Sequence, residues 1–236
     1  MDAPVWMYAL SRLAFAQQIP LNAETFKIIA PEIKLFPNVA PFLRKLKDIE
    51  KTAVFRKVGV EIHHFIVSAG LKDLVGQILP DGLIRWTFGC CYQINSFEGD
   101  PHMPESIPVF CMDETMKTRS LYEISKGSFQ DKTKTVNSLV PPEKRWAPFE
   151  NMIYVGDGFT DVPAFSLVRS LGGLGIAVYN PKKTKADTNK RLERLRLDKR
   201  TDLITPANFD TSGELYSYLK SRCMQIAQRY RAAHPI

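Results

Sequence analysis

Cysteine is scarce. The four are Cys90, Cys91, Cys111 and Cys223, with no CxxC spacing. That argues against a disulfide framework or a zinc site, and fits buried or strand cysteines in a reducing, cytoplasmic setting. Long apolar runs are also missing. None approaches the roughly 18 residues of a membrane span, so no membrane partner is expected. Residues 1–20 carry neither a basic start nor a small-residue cleavage site, so a secretory leader is not expected there. No G-x-G-x-x-G occurs, so a dinucleotide fold has no support. Repeats and low-complexity stretches are absent too.

What remains is an ordinary globular composition. The chain has 236 residues, 44% hydrophobic and 24% charged, enough for one large domain or a core with a small accessory domain. The net charge of +7 suits an anionic partner. Its densest run, Lys182 to Arg200, is interrupted by Asp187, Glu193 and Asp198 and carries no aromatic interleaving. It reads as a solvated helix face, and nucleic acid is not expected as a partner. His63 and His64 have no ligand pattern near them and read as structural.

Periodicity predicts alternating helices and short apolar strands. Residues 4–17 show helical spacing almost from the first residue, as if the chain began inside a helix with a segment before it. Asn22 is placed to cap a second helix, and 39–49 forms a third with Val39, Phe42, Leu43 and Leu46 on one face. Strands are expected at 64–68, 83–88, 91–97, 107–112, 152–155, 174–178 and 202–204. Further helices are expected at 71–79, 115–126 (closed by Gly127), 163–171, 185–197 and 213–234. Short apolar strands alternating with helices imply a parallel sheet covered on both faces.

Three features carry chemistry. Tyr154-Val-Gly-Asp-Gly-Phe-Thr-Asp161 puts Asp157 and Asp161 just past an apolar strand, where open α/β sheets gather ligands. Two carboxylates beside open backbone suit Mg²⁺, although a turn with an aspartate cap fits the same residues. Phe65-Ile-Val-Ser-Ala-Gly70 ends a strand on a hydroxyl and small residues. There Ser68 and the amides of Ala69 and Gly70 could clamp a phosphate, or Ser68 could simply cap a helix. Lys117 sits in the first turn of a helix, against the dipole, which suggests charge neutralisation and leaves a solvated lysine as the plainer alternative.

In this order the three resemble the haloacid dehalogenase superfamily of phosphohydrolases, in a phosphoserine-phosphatase-like branch with a helical cap. The resemblance spans about Leu35 to Pro181. It includes Asp161-Val-Pro163, Ala177-Val-Tyr-Asn-Pro181 and Leu35-Phe-Pro-Asn-Val39, which looks like the junction where a cap returns to the core. It implies an α/β fold with a Rossmann-like parallel sheet flanked by helices. Residues 1–34 would be a partial helical cap, and 35–236 the core. It implies Ser68 and Lys117 as catalytic and phosphate-binding groups, Asp157 and Asp161 as Mg²⁺ ligands, and a small phosphate ester as substrate.

Such enzymes attack phosphorus with an aspartate from an Asp-x-Asp-x-Thr motif on the first strand, forming an aspartyl-phosphate. No such motif precedes Ser68. Three explanations stand open. In the first, a segment upstream carries the motif; in the second, the protein has lost it and only binds, as a catalytically silent scaffold of the same fold; in the third, Asp113, which follows an apolar run and heads Asp-x-Thr, substitutes. In the family the first strand lies between those ending at Ser68 and Gly156. Its absence predicts a gap there, or direct pairing of those two strands. Activity from these residues alone is not expected.

Overall fold

A computed structural model describes residues 2–94, 106–183 and 186–233. Its helices and strands run in the order α1 Ala3–Ala16, α2 Ala23–Ile29, α3 Val39–Lys47, α4 Ala53–Val58, β1 Phe65–Leu71, α5 Lys72–Val75, β2 Trp86–Ile94 and β3 Ser106–Phe110. There follow α6 Glu114–Lys126, β4 Ile153–Gly156, α7 Val162–Ser170, β5 Leu174–Tyr179, α8 Ala186–Leu197, β6 Leu203–Pro206 and α9 Glu214–Ala233. The fold is mixed α/β, with small sheets containing parallel strands and flanked by helices.

The chain divides into two compact units, residues 1–34 with 64–117, and 35–63 with 118–236. Residues 1–34 therefore share a unit with β1, β2 and β3.

In the first unit, Pro4 opens α1, where a missing N–H is harmless. The helix buries Met7, Ser11 and Ala14, a single stripe at i, i+4, i+7. The Ser11 hydroxyl donates to the Ser106 carbonyl on β3. Asn22 caps α2 by accepting from the Thr25 amide at 2.9 Å, as its position predicts. β2 serves two partners. Its first part pairs in parallel with β1, from Phe65↔Trp86 to Leu71↔Cys90, and its second part antiparallel with β3. The two strands expected at 83–88 and 91–97 are thus one, Trp86–Ile94, while residues 95–97 lie outside the described residues. The helix expected from Leu71 shrinks to α5, because Leu71 stays in the β1 ladder opposite Cys90.

In the second unit, β4, β5 and β6 form a parallel sheet in that order. β5 is buried along nearly its whole length. Leu174, Ile176 and Val178 point to one face and pack with Phe42, Leu46, Ile49, Phe55, Leu215, Leu219 and Ala227. Those residues come from the turns and helices around α3, α4 and α9. Gly175 points the other way, under Phe165 and Arg169 of α7. Cover on both faces explains the unbroken apolar run of this strand. The short helix α4 carries no periodic signal long enough to read from sequence, and it is held by Phe55, 2% exposed. Gly127 has φ +74°, the left-handed stop expected after α6.

Among the described residues β1 and β4 belong to different sheets. Each is an edge strand of its own three-stranded sheet.

Cys223, on α9, packs against the second unit's core. Burial pushes its thiol from 9.0 up to about 11. The neutral thiol is favoured in the folded state, so its contribution is complete below pH 9 and lost as pH rises toward 11. Unfolding in urea at successive pH values should therefore show wild type losing stability across that interval faster than Cys223→Ala. Parallel curves would contradict the assignment.

Candidate functional site

The acidic loop leaves β4 at Gly156, passes Asp157 and Gly158, makes a 3-10 turn at Phe159–Asp161 and enters α7, with Pro163 in its first turn. Its two carboxylates have different fates. Asp161 is buried, 4% exposed. One of its oxygens accepts from the Tyr154 hydroxyl at 2.7 Å, the other from the Gly158 amide at 3.0 Å. It makes no side-chain cap to α7. A Cβ on Gly156 would lie 2.6 Å from Asp161 Oδ2, so only glycine lets the carboxylate reach back across the loop. Tyr154 is itself buried, with its ring edge-on to Phe165 at 5.4 Å. Burial, and then the Asp161 carboxylate beside it, hold the phenol well above its ordinary pKa. It therefore remains a donor to Asp161 at any ordinary pH. Asp157, by contrast, is exposed.

Asp161 thus braces the loop, and Asp157 is the carboxylate it presents to solvent. Mg²⁺ takes one or two carboxylates and keeps several waters. Asp157 with open backbone at Gly158 fits that demand, and Asp161 fits as the group that holds the loop in place. Among the described residues no cluster of three or more His, Cys, Asp or Glu could hold a metal by itself.

Ser68 lies half-buried on β1, and its Oγ accepts from the Gly70 amide at 3.0 Å. A hydroxyl so engaged still has its own O–H to donate. It does not cap α5, whose N-cap position is Leu71. The segment from Gly70 to Lys72 lies tight on β2, since a Cβ on Gly89 would come within 2.8 Å of the Gly70 carbonyl oxygen. The Cys90 thiol donates to the Ala69 carbonyl at 3.2 Å.

Lys117 is only 5% exposed. The solvated-lysine alternative is therefore excluded. Its helix, α6, starts on Asp113, whose carboxylate accepts from the Met116 amide at 2.6 Å. Asp113 is exposed and occupied as a helix cap.

The structure gathers Ser68, Ala69 and Gly70 on one strand, and Asp157 with Asp161 in one loop. Ser68 to Gly70 and Lys117 belong to the first unit; the two aspartates belong to the second. Sequence reasoning quoted Tyr154 within the acidic motif but gave it no role, and it missed Gly89 and Phe165, which carry no motif signal.

No family model matches the chain, and no solved structure does. An uncharacterized protein of Borreliella burgdorferi is 25% identical over 213 residues, covering 84% of this chain and 70% of that protein. This likeness carries no activity with it.

Other features take plain roles. The helix α8 bears surface ion pairs such as Arg194 with Asp198, in keeping with a solvated face. His63 pairs with Glu61 at 3.0 Å and lies against Trp146. All four cysteines are free. Among the described residues no helix is long and apolar enough to cross a membrane.

Proposed function

We propose that the chain carries the phosphate- and metal-binding parts of a haloacid dehalogenase-type phosphohydrolase. The fold would be the Rossmann-like one of that superfamily, with residues 1–34 as the remainder of a helical cap. The substrate would be a small phosphate ester. The observation that carries this reading is the acidic loop: a buried aspartate tied at both oxygens leaves one carboxylate, Asp157, exposed past the end of a parallel strand. An aspartate serving only as a turn or cap needs no second acid presented beside it.

In this reading Asp157 holds Mg²⁺ and Asp161 keeps the loop's shape. Bound Mg²⁺ supplies positive charge to phosphoryl oxygens. Ser68 donates its O–H to a phosphate oxygen, helped by the amides of Ala69 and Gly70. Lys117, which is buried, offsets phosphoryl charge. The attacking aspartate in an Asp-x-Asp-x-Thr context is not among these residues. Turnover is accordingly proposed for the protein in which that motif is joined to them.

The test is Mg²⁺-dependent release of phosphate from an aryl phosphate by that protein. Asp157→Asn should reduce it to background while leaving the unfolding free energy within about 0.5 kcal/mol of wild type, as an exposed substitution does. Release that persists in Asp157→Asn removes Asp157 from the metal site. No release at all, with Mg²⁺ and phosphate still bound, favours the catalytically silent binding protein.

A further inference from the structure

Three sulfur atoms gather on one face of the first sheet. Cys91 pairs with Phe110 at the end of the antiparallel β2–β3 ladder, and just past it the Cys90 and Cys111 thiols lie near enough to interact electrostatically. The Met112 amide donates to Cys90 Sγ at 3.2 Å, which fits that placement. Cys90 and Tyr92 project from the same side of β2, by the period of two. The Tyr92 hydroxyl donates to the Met7 carbonyl at 2.6 Å, fixing α1 over that side. Cys111 Sγ lies 3.5 Å from Met7 Sδ. Met7 is 0% and Cys90 1% exposed, whereas Cys111 is partly open to solvent. Two thiols and a thioether thus lie together, with a way in at Cys111.

We propose that Cys90, Cys111 and Met7 form a site for a soft monovalent d¹⁰ cation, copper(I) or silver(I). Thiolate and thioether sulfur select soft cations over Mg²⁺ and Ca²⁺. A structural zinc site calls for four nitrogen, oxygen or sulfur ligands, and among the described residues no cluster of even three His, Cys, Asp or Glu exists. Copper(I) accepts two or three sulfurs. Binding is a proton exchange without redox change: Cu⁺ and two thiols give a dithiolate complex of charge −1 and release two protons. The Met112 amide remains as a donor to the Cys90 thiolate, while the S–H bond from Cys90 to the Ala69 carbonyl is given up. The two cysteines are twenty-one positions apart and the methionine lies near the N-terminus, so no sequence motif announces the site.

The test is an anaerobic titration of the reduced full chain with copper(I), in competition with the chromogenic chelator bicinchoninate. The chain should withhold one equivalent from the chelator. Cys90→Ser and Cys111→Ser should each lose that equivalent, and Met7→Leu should weaken binding by about tenfold or more while the fold survives. Cys223→Ser, in the other unit, should bind like wild type. X-ray absorption on the loaded chain should show only sulfur neighbours, at about 2.3 Å as for thiolate on a d¹⁰ ion. Circular dichroism reports whether Cys90→Ser folds. Should it not, Cys111→Ser at the partly open position decides. The proposal is overturned if the chain withholds no copper, or if Cys111→Ser still withholds its equivalent. It is equally overturned if mild oxidation removes 2 Da by joining Cys90 to Cys111 and the reduced chain binds no copper.

Discussion

Asp161→Ala should destabilise the second unit by about 2–4 kcal/mol. The substitution strands two donors, the buried Tyr154 hydroxyl and the Gly158 amide. Hydrogen bonds to a charged group contribute about 1.5–3 kcal/mol each. Removing a buried carboxylate also recovers some of its desolvation cost, which brings the net below the simple sum. Asp161→Asn keeps the shape and one acceptor but turns an amide N–H toward a donor, so it should fall between wild type and alanine. A double-mutant cycle with Tyr154→Phe isolates the shared bond and should return a coupling of about 1–3 kcal/mol. Urea unfolding measures all of these. An Asp161→Ala chain as stable as wild type would mean that the carboxylate is not the brace of the loop.

Phe165→Ala should cost about 3–5 kcal/mol, the range for emptying a large aromatic from a closed core. Phe165 is 0% exposed. It lies over Gly175, where a Cβ would meet its ring at 3.3 Å, and stands edge-on to Tyr154. The cavity therefore opens between α7 and β5, directly behind the ring that positions Asp161. Two readouts should move together: the unfolding free energy falls, and amide exchange at Gly158 quickens as its acceptor loses support. Phe165→Leu refills part of the space and should recover at least half of the loss. Full stability in Phe165→Ala would show that this core is not closed around the ring.

These two residues show why the site was only partly legible from sequence. Asp157 and Asp161 look alike in the string Gly-Asp-Gly-Phe-Thr-Asp, and both were expected to face a metal. Their difference lies in a tyrosine on the preceding strand and a phenylalanine on the following helix. Tyr154 reaches Asp161 only because β4 and the 3-10 turn bring them within 2.7 Å. Ser68 and Lys117 were legible as candidates, but the burial of Lys117 belongs to the folded chain and has no counterpart in its neighbours along the sequence. The same is true of β2. Its residues read as two strands because Gly89-Cys90-Cys91 interrupts the alternation, yet one strand runs through them, since Gly89 must lie flat against the Gly70 carbonyl.

Features whose causes are local were set by the sequence alone. The apolar stripe of α1, the Asn22 cap, the left-handed stop at Gly127, the buried run of β5 and the acidic glycine loop after β4 all follow from spacing, side-chain reach and backbone freedom over a few residues. Tertiary structure decided which strands pair, that β1 and β4 each end a sheet, which aspartate is turned inward, and that Met7 meets Cys111. Those outcomes depend on groups far apart in the chain. Only folding fixes the distance between them, and burial makes each unpaired polar group too costly to leave unsatisfied.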